Sequence, residues 1–120
     1  MNTRRKGRQN ENRVVDELES DGWLTYQVKG STKFNKECDI FNLFDVMAIK
    51  TLGESPITLT RFIQVKTNQK PNFDKFIEFR DKYIKDWRYT IEVWVYYDRK
   101  GFRIWRLSTL DDEFKEVENG

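Results

Sequence analysis

The chain has no histidine among its 120 residues. That absence removes every mechanism that needs an imidazole as base or metal ligand, including Ser-His and Cys-His nucleophile pairs. Cysteine is almost as scarce: Cys38 stands alone, which excludes an intramolecular disulfide and any cluster of cysteine metal ligands and fits a reducing interior. No apolar run approaches the length needed to cross a bilayer, and "MNTRRKGRQN" lacks the apolar stretch of a signal peptide. A soluble, cytoplasmic protein is expected. Any catalysis must then run on carboxylates, lysine, tyrosine, hydroxyls or hard metal ions.

What is present bounds the rest. A chain of 120 residues suits one domain and is too short for two of usual size. With 15% aromatic residues it is too rich in core formers to be disordered. The net charge is only +2, but it is unevenly spread. "RRKGR" (Arg4 to Arg8) lies in a basic N-terminal arm, residues 1–9, and "DDEFKEVE" (Asp111 to Glu118) in an acidic C-terminal tail, residues 108–120. Such asymmetry allows a local nucleic-acid surface on a nearly neutral protein.

Periodicity orders the elements. "NENRVVDELESDG" carries Val14, Val15 and Leu18 at helical spacing and predicts a helix from Asn10 to about Gly22. At 100° per residue Glu11 falls inside that apolar arc, whereas Asp16, Glu17 and Glu19 fall outside it. "WLTYQVKG" (Trp23 to Gly30) reads as a strand, "STKFNKEC" (Ser31 to Cys38) as a polar loop, and "FDVMAIK" as a second strand that Asp45 opens. "ITLTRFIQVKT" follows, with Phe62, Gln64 and Lys66 on one face and Ile63 and Val65 on the other. Pro71 and Asn72 begin a second helix whose stripe runs from Phe73 to Trp87. "YTIEVWVYY" and "GFRIWRL" form a last pair of strands. The tail is expected to end as a short acidic helix capped by Ser108 or Thr109.

An inward acid on a helix, an acid opening one strand and a polar-x-Lys step on the next suit a hard divalent cation, which takes oxygen ligands. Asp45, the Gln64 side-chain oxygen and Glu11 are the candidate donors. Lys66 returns to the side of Gln64 two residues along, where its ammonium can meet a water or a scissile phosphate.

These stretches resemble the PD-(D/E)XK nuclease superfamily, and within it the archaeal Holliday junction resolvase-like group. The resemblance runs through "RRKGRQNENRVVDEL", "KGS" (Lys29 to Ser31), "FDVMAIK" and "FIQVKT", over roughly the first 70 residues. It implies a single α/β domain with a restriction-endonuclease-like αβββαβ core, a mixed central sheet flanked by helices. It further implies that Glu11, Asp45 and Gln64 surround Mg²⁺ (or Mn²⁺), with the Val65 carbonyl as a further ligand and Lys66 as the catalytic lysine. The activity implied is metal-dependent endonucleolytic hydrolysis of DNA, structure-selective or Holliday junction resolving, by a homodimer of archaeal, viral or phage setting. Phe44 stands where the signature has proline, and Gln64 where it has an acid. The second departure removes a charge from the metal site and lowers its affinity unless Glu11 or Asp39 compensates.

Several of these residues have competing roles. Asp39 is a rival ligand, better read as a loop residue bonding its own backbone, and Glu17 is better read as solvated. Trp87, Trp94 and Trp105 sit in apolar patterns and read as core, which also argues against an RNA-binding sheet face. Arg4, Arg5, Lys6 and Arg8 precede Glu11, and Lys29, Ser31, Lys33 and Lys36 follow in the next segment. As a group they favour contact with DNA phosphates. The alternative function is a nuclease-fold module that has lost catalysis and binds DNA or assembles complexes, which the neutral Gln64 favours.

Overall fold

The computed structural model describes residues 3–28 and 39–117, with the side chains of Thr3, Arg4 and Arg5 left aside. Helix α1 spans Thr3–Ser20, and strands β1 (Leu24–Gln27), β2 (Val46–Thr51) and β3 (Thr58–Thr67) follow. Helix α2 (Asp74–Tyr83) leads to β4 (Tyr89–Tyr97), β5 (Gly101–Leu107) and β6 (Lys115–Val117). All six strands join one sheet in sequence order. Only β3 and β4 pair in parallel, as their connection through α2 requires; the other neighbours are antiparallel. The chain is thus a single α/β domain with a mixed central sheet and two helices.

The two helices cover opposite faces of the sheet. Val14 and Leu18, four apart on α1, are buried against Val46, Ala48, Ile63, Val65, Trp94 and Ile104. The other face carries Phe62, Ile91, Val93, Val95, Trp105 and Leu107, which pack with Phe76 of α2 and with Phe44. Odd and even positions of β3 therefore serve different cores. Gly22 ends α1 at φ +89, a left-handed conformation that glycine adopts without Cβ strain. Its N–H bonds the Glu19 carbonyl and that of Trp23 bonds the Leu18 carbonyl, which turns the chain directly into β1.

The structure differs from the sequence-based expectation in four places. Helix α1 begins at Thr3 rather than Asn10, so Lys6 and Arg8 lie on its first turns. Asp45 stands one residue before β2 instead of opening it. Helix α2 stops at Tyr83, because Ile84 is extended and an Asx turn follows in which the Asp86 carboxylate accepts the Arg88 N–H. Trp87 consequently leaves the helical stripe and is 56% exposed rather than core, whereas Trp94 and Trp105 are buried.

The last difference is the tail, which forms β6 and not a helix. Ser108 closes a turn with its N–H and hydroxyl both on the Asp111 carboxylate, and Phe114 stacks on Phe73 at 4.1 Å between ring centroids. Residues 115–117 are thereby delivered to the free edge of β5. Among the described residues no helix is long and apolar enough to cross a membrane.

Candidate active site

The centre of the site is the point where the β2–β3 ladder gives out. The register ends at Val46 opposite Ile63, and Asp45 lies just beyond it. Its backbone is fixed on both sides, with the N–H donating to the Ile63 carbonyl at 2.9 Å and the carbonyl accepting from Val28 N–H at 3.0 Å. Its carboxylate then takes over as an acceptor for β3: Oδ2 receives the Val65 N–H at 2.8 Å and the Gln64 Nε2 at 3.1 Å. Asp45 is buried, and burial pushes its carboxyl up to about 7. The charges of Glu11 and Asp39 add to that rise, while the bonds from Val65 and Gln64 oppose it. An ionised carboxylate that is buried beside two further acids lacks compensating positive charge.

Glu11 approaches from α1 and is half-buried. Burial raises its pKa, the Gln27 amide and the Arg8 charge lower it, and Asp39 raises it again. Gln27 Nε2 lies 3.4 Å from Glu11 Oε1, and Arg8 Nη1 3.7 Å from the same oxygen. Lys66 is exposed, and its ammonium makes no hydrogen bond or ion pair among the described residues. The sequence-derived set of Glu11, Asp45, Gln64 and Lys66 thus divides in two. Asp45 and Gln64 are in direct contact and Glu11 is coupled to Asp45 by charge, whereas Lys66 is linked to them through the alternation of β3.

Among the described residues no three His, Cys, Asp or Glu side chains gather closely enough to hold a metal by themselves. A divalent ion here needs other oxygen donors, and two are at hand. Gln64 uses its Nε2 on Asp45 and leaves Oε1 for another partner. The Val65 carbonyl is the second. An all-oxygen set around an acid that already lacks compensating charge fits a hard cation such as Mg²⁺ or Mn²⁺.

No family model matches the chain, and no curated protein matches it significantly. Among solved structures, Hjc from Archaeoglobus fulgidus, a Holliday junction resolvase from an archaeal hyperthermophile, superposes with a TM-score of 0.53 at 15% identity. The match covers 94% of this chain and 88% of that one. The two proteins share a fold.

Within this resolvase-like fold the candidate phosphate contacts are differently placed than a free arm would have them. Lys6 forms an ion pair with Asp98, which also accepts from Asn68 Nδ2 at 2.9 Å. Arg8 donates to the Val28 carbonyl at 2.6 Å. Lys29, Ser31, Lys33 and Lys36 lie outside the described residues, as do the side chains of Arg4 and Arg5. Sequence reasoning missed Asn10, which is fully buried and donates through Nδ2 to Thr67 Oγ1 at 2.7 Å. Its Oδ1 accepts from Arg13 at 2.6 Å. This bond joins the residue before Glu11 to the residue after Lys66. No local sequence signal marks it, because an asparagine beside charged residues reads as solvated.

Proposed function

We propose that the protein is a metal-dependent endodeoxyribonuclease of PD-(D/E)XK type that acts on branched DNA such as a Holliday junction. The observation that carries this reading is the buried Asp45 carboxylate, bonded to Gln64 and Val65 and lying in the field of Glu11 and Asp39. Asp45, Glu11, Gln64 Oε1 and the Val65 carbonyl would hold Mg²⁺ or Mn²⁺. Such a cation supplies Lewis acidity that activates water and offsets charge developing on the phosphate. Gln64 orients Asp45 through its amide, and because both bonds fall on Oδ2, Oδ1 would be the oxygen left for the ion. Lys66 Nζ would position the attacking water and, as an ammonium, stabilise the pentacovalent phosphate. Residues of the 1–9 and 29–36 segments would add phosphate contacts.

A homodimer belongs to this reading. On the α2 face of the sheet, Phe41 (62% exposed) and Tyr83 (65%) border an apolar hollow of about 560 Å³ that Phe62, Phe79 and Tyr89 line. Exposed Leu24 and Tyr26 extend the same face across β1. An apolar surface of this extent on a small chain calls for a partner, and a second copy would set two sites against the two strands of a junction.

The deciding experiment incubates wild type and Asp45→Ala with branched, duplex and single-stranded DNA, with and without Mg²⁺ or Mn²⁺. Metal-dependent cleavage by wild type that Asp45→Ala abolishes is expected. A second reading, a DNA-binding or assembly module without catalysis, is favoured by the neutral Gln64. Binding with no metal-dependent cleavage of any substrate would establish it.

A further inference from the structure

Strand β3 carries a second group of chemically active residues at its opposite end. Thr60 and Lys66 are six positions apart, about 20 Å along an extended strand. Near Thr60, on the α1 face, Trp23, Arg61, Trp87, Arg88, Glu92 and Arg106 line a cavity of about 180 Å³. Glu92 is fully buried there. Its carboxylate accepts Arg61 Nε and Nη2 at 2.6 Å each, Trp94 Nε1 at 2.8 Å and Arg106 Nε at 3.3 Å. One acid is therefore shared by two guanidinium groups, and Arg88 is balanced separately by Asp86. The local balance is one positive charge in excess.

The donors left over point the same way. Among the described residues Arg61 keeps Nη1, and Arg106 both Nη atoms, without a hydrogen-bond partner. Such donors at the wall of a cavity are open to a ligand or water. The space is several times the ~30 Å³ share of a water molecule, and the exposed Trp87 ring stands at its wall.

We propose that this cavity binds one nucleotide, its phosphate held by Arg61 Nη1 and Arg106 Nη and its base stacked on Trp87. Guanidinium forks match phosphoryl oxygens, and exposed indole rings are stacking platforms for bases of any sequence. The nucleotide is either free or part of a single strand. The site needs no divalent cation and stands independently of the nuclease reading.

The test uses the full chain in EDTA, with tryptophan fluorescence and calorimetry as readouts. The ligands are thymidine, thymidine 5′-monophosphate and a short oligothymidylate. Saturable binding of a phosphate-bearing ligand, with none of thymidine, is expected. Trp87→Ala removes the exposed stacking ring, and should leave the ligand-free melting temperature nearly unchanged while weakening binding at least tenfold. Arg106→Gln should weaken it comparably. Binding of the monophosphate identifies a free nucleotide as sufficient, and binding of the oligomer alone identifies a strand. Asp45→Ala should bind as wild type does, so loss of cleavage in that variant leaves this site intact. The proposal is overturned if no phosphate-bearing ligand binds saturably, or if Trp87→Ala and Arg106→Gln both bind as wild type.

Discussion

At the scale of single residues, Gln64 sets the character of the candidate site, since it donates to Asp45 where an acid would repel it. Gln64→Glu should raise affinity for Mn²⁺ by about tenfold by adding a second formal charge to the ligand set, measured by calorimetry, and should destabilise the metal-free protein. Without metal, Asp45 already costs stability. Its folded pKa of about 7 exceeds its ordinary 3.8, so between these values the folded state binds more protons than the unfolded chain. Stability therefore falls as pH rises from about 4 to about 7 and levels off above. Asp45→Asn should remove that slope and stabilise the apo protein at pH 8 by on the order of 2 kcal/mol, as urea titrations at several pH values will show. Lys66→Ala should leave the melting temperature unchanged, because the side chain is exposed and unpaired among the described residues, and cut cleavage about a hundredfold or more. The Asp45–Gln64 contact was legible in the sequence, and Lys66 stood out as a candidate beside it, because strand alternation places polar groups where apolar ones belong. Asn10 and Gln27 were not, since their partners come from distant strands and nothing local distinguishes them from solvated amides.

At the scale of elements, α1 and β3 are joined by polar latches as well as by Val14 and Leu18. Asn10→Ala removes the donor to Thr67 and the acceptor for Arg13 within a buried site, and should cost about 1–3 kcal/mol. If the latch also sets the distance from Glu11 to Lys66, cleavage per folded molecule should drop with it. The Arg61–Glu92 pair is a larger commitment. Burial pushes the Glu92 carboxyl up, yet the Arg61 bonds and charge, the Arg106 charge and the Trp94 N–H outweigh burial and hold it below its usual range. Arg61→Met should cost about 3–5 kcal/mol by leaving a buried charge underpaired, read as a shift in the denaturation midpoint. Both helices were legible from apolar spacing, but their ends were not. The first turns of α1 carry no apolar stripe to reveal them, and Trp87 continues the spacing of α2 past the Asx turn that stops it. Strand β6 was hidden for a different reason, since three residues become a strand only through the edge that β5 offers.

For the whole molecule, the order of helix, three strands, helix and two strands was readable because each element carries its own period. The apolar face over β1, β2 and α2 was not, because exposure is decided by which faces the two helices leave uncovered. If that face joins two copies, Tyr83→Asp combined with Phe41→Asp should convert a dimer to a monomer in sedimentation equilibrium without unfolding it, and should uncouple the paired cuts on a four-way junction.

Strand β3 lies between β2 and β4 and presents Arg61 to the α1 face and Gln64 and Lys66 to the other. Its two ends are in fixed phase, separated by an odd number of residues. Deleting one residue between them would leave Arg61 on Glu92 but swing Lys66 behind the sheet and turn Ile63 or Val65 outward. This strand thus admits no change of length, whereas the turn at residues 52–57 can absorb insertions. Length variation along the chain should therefore be confined to such turns.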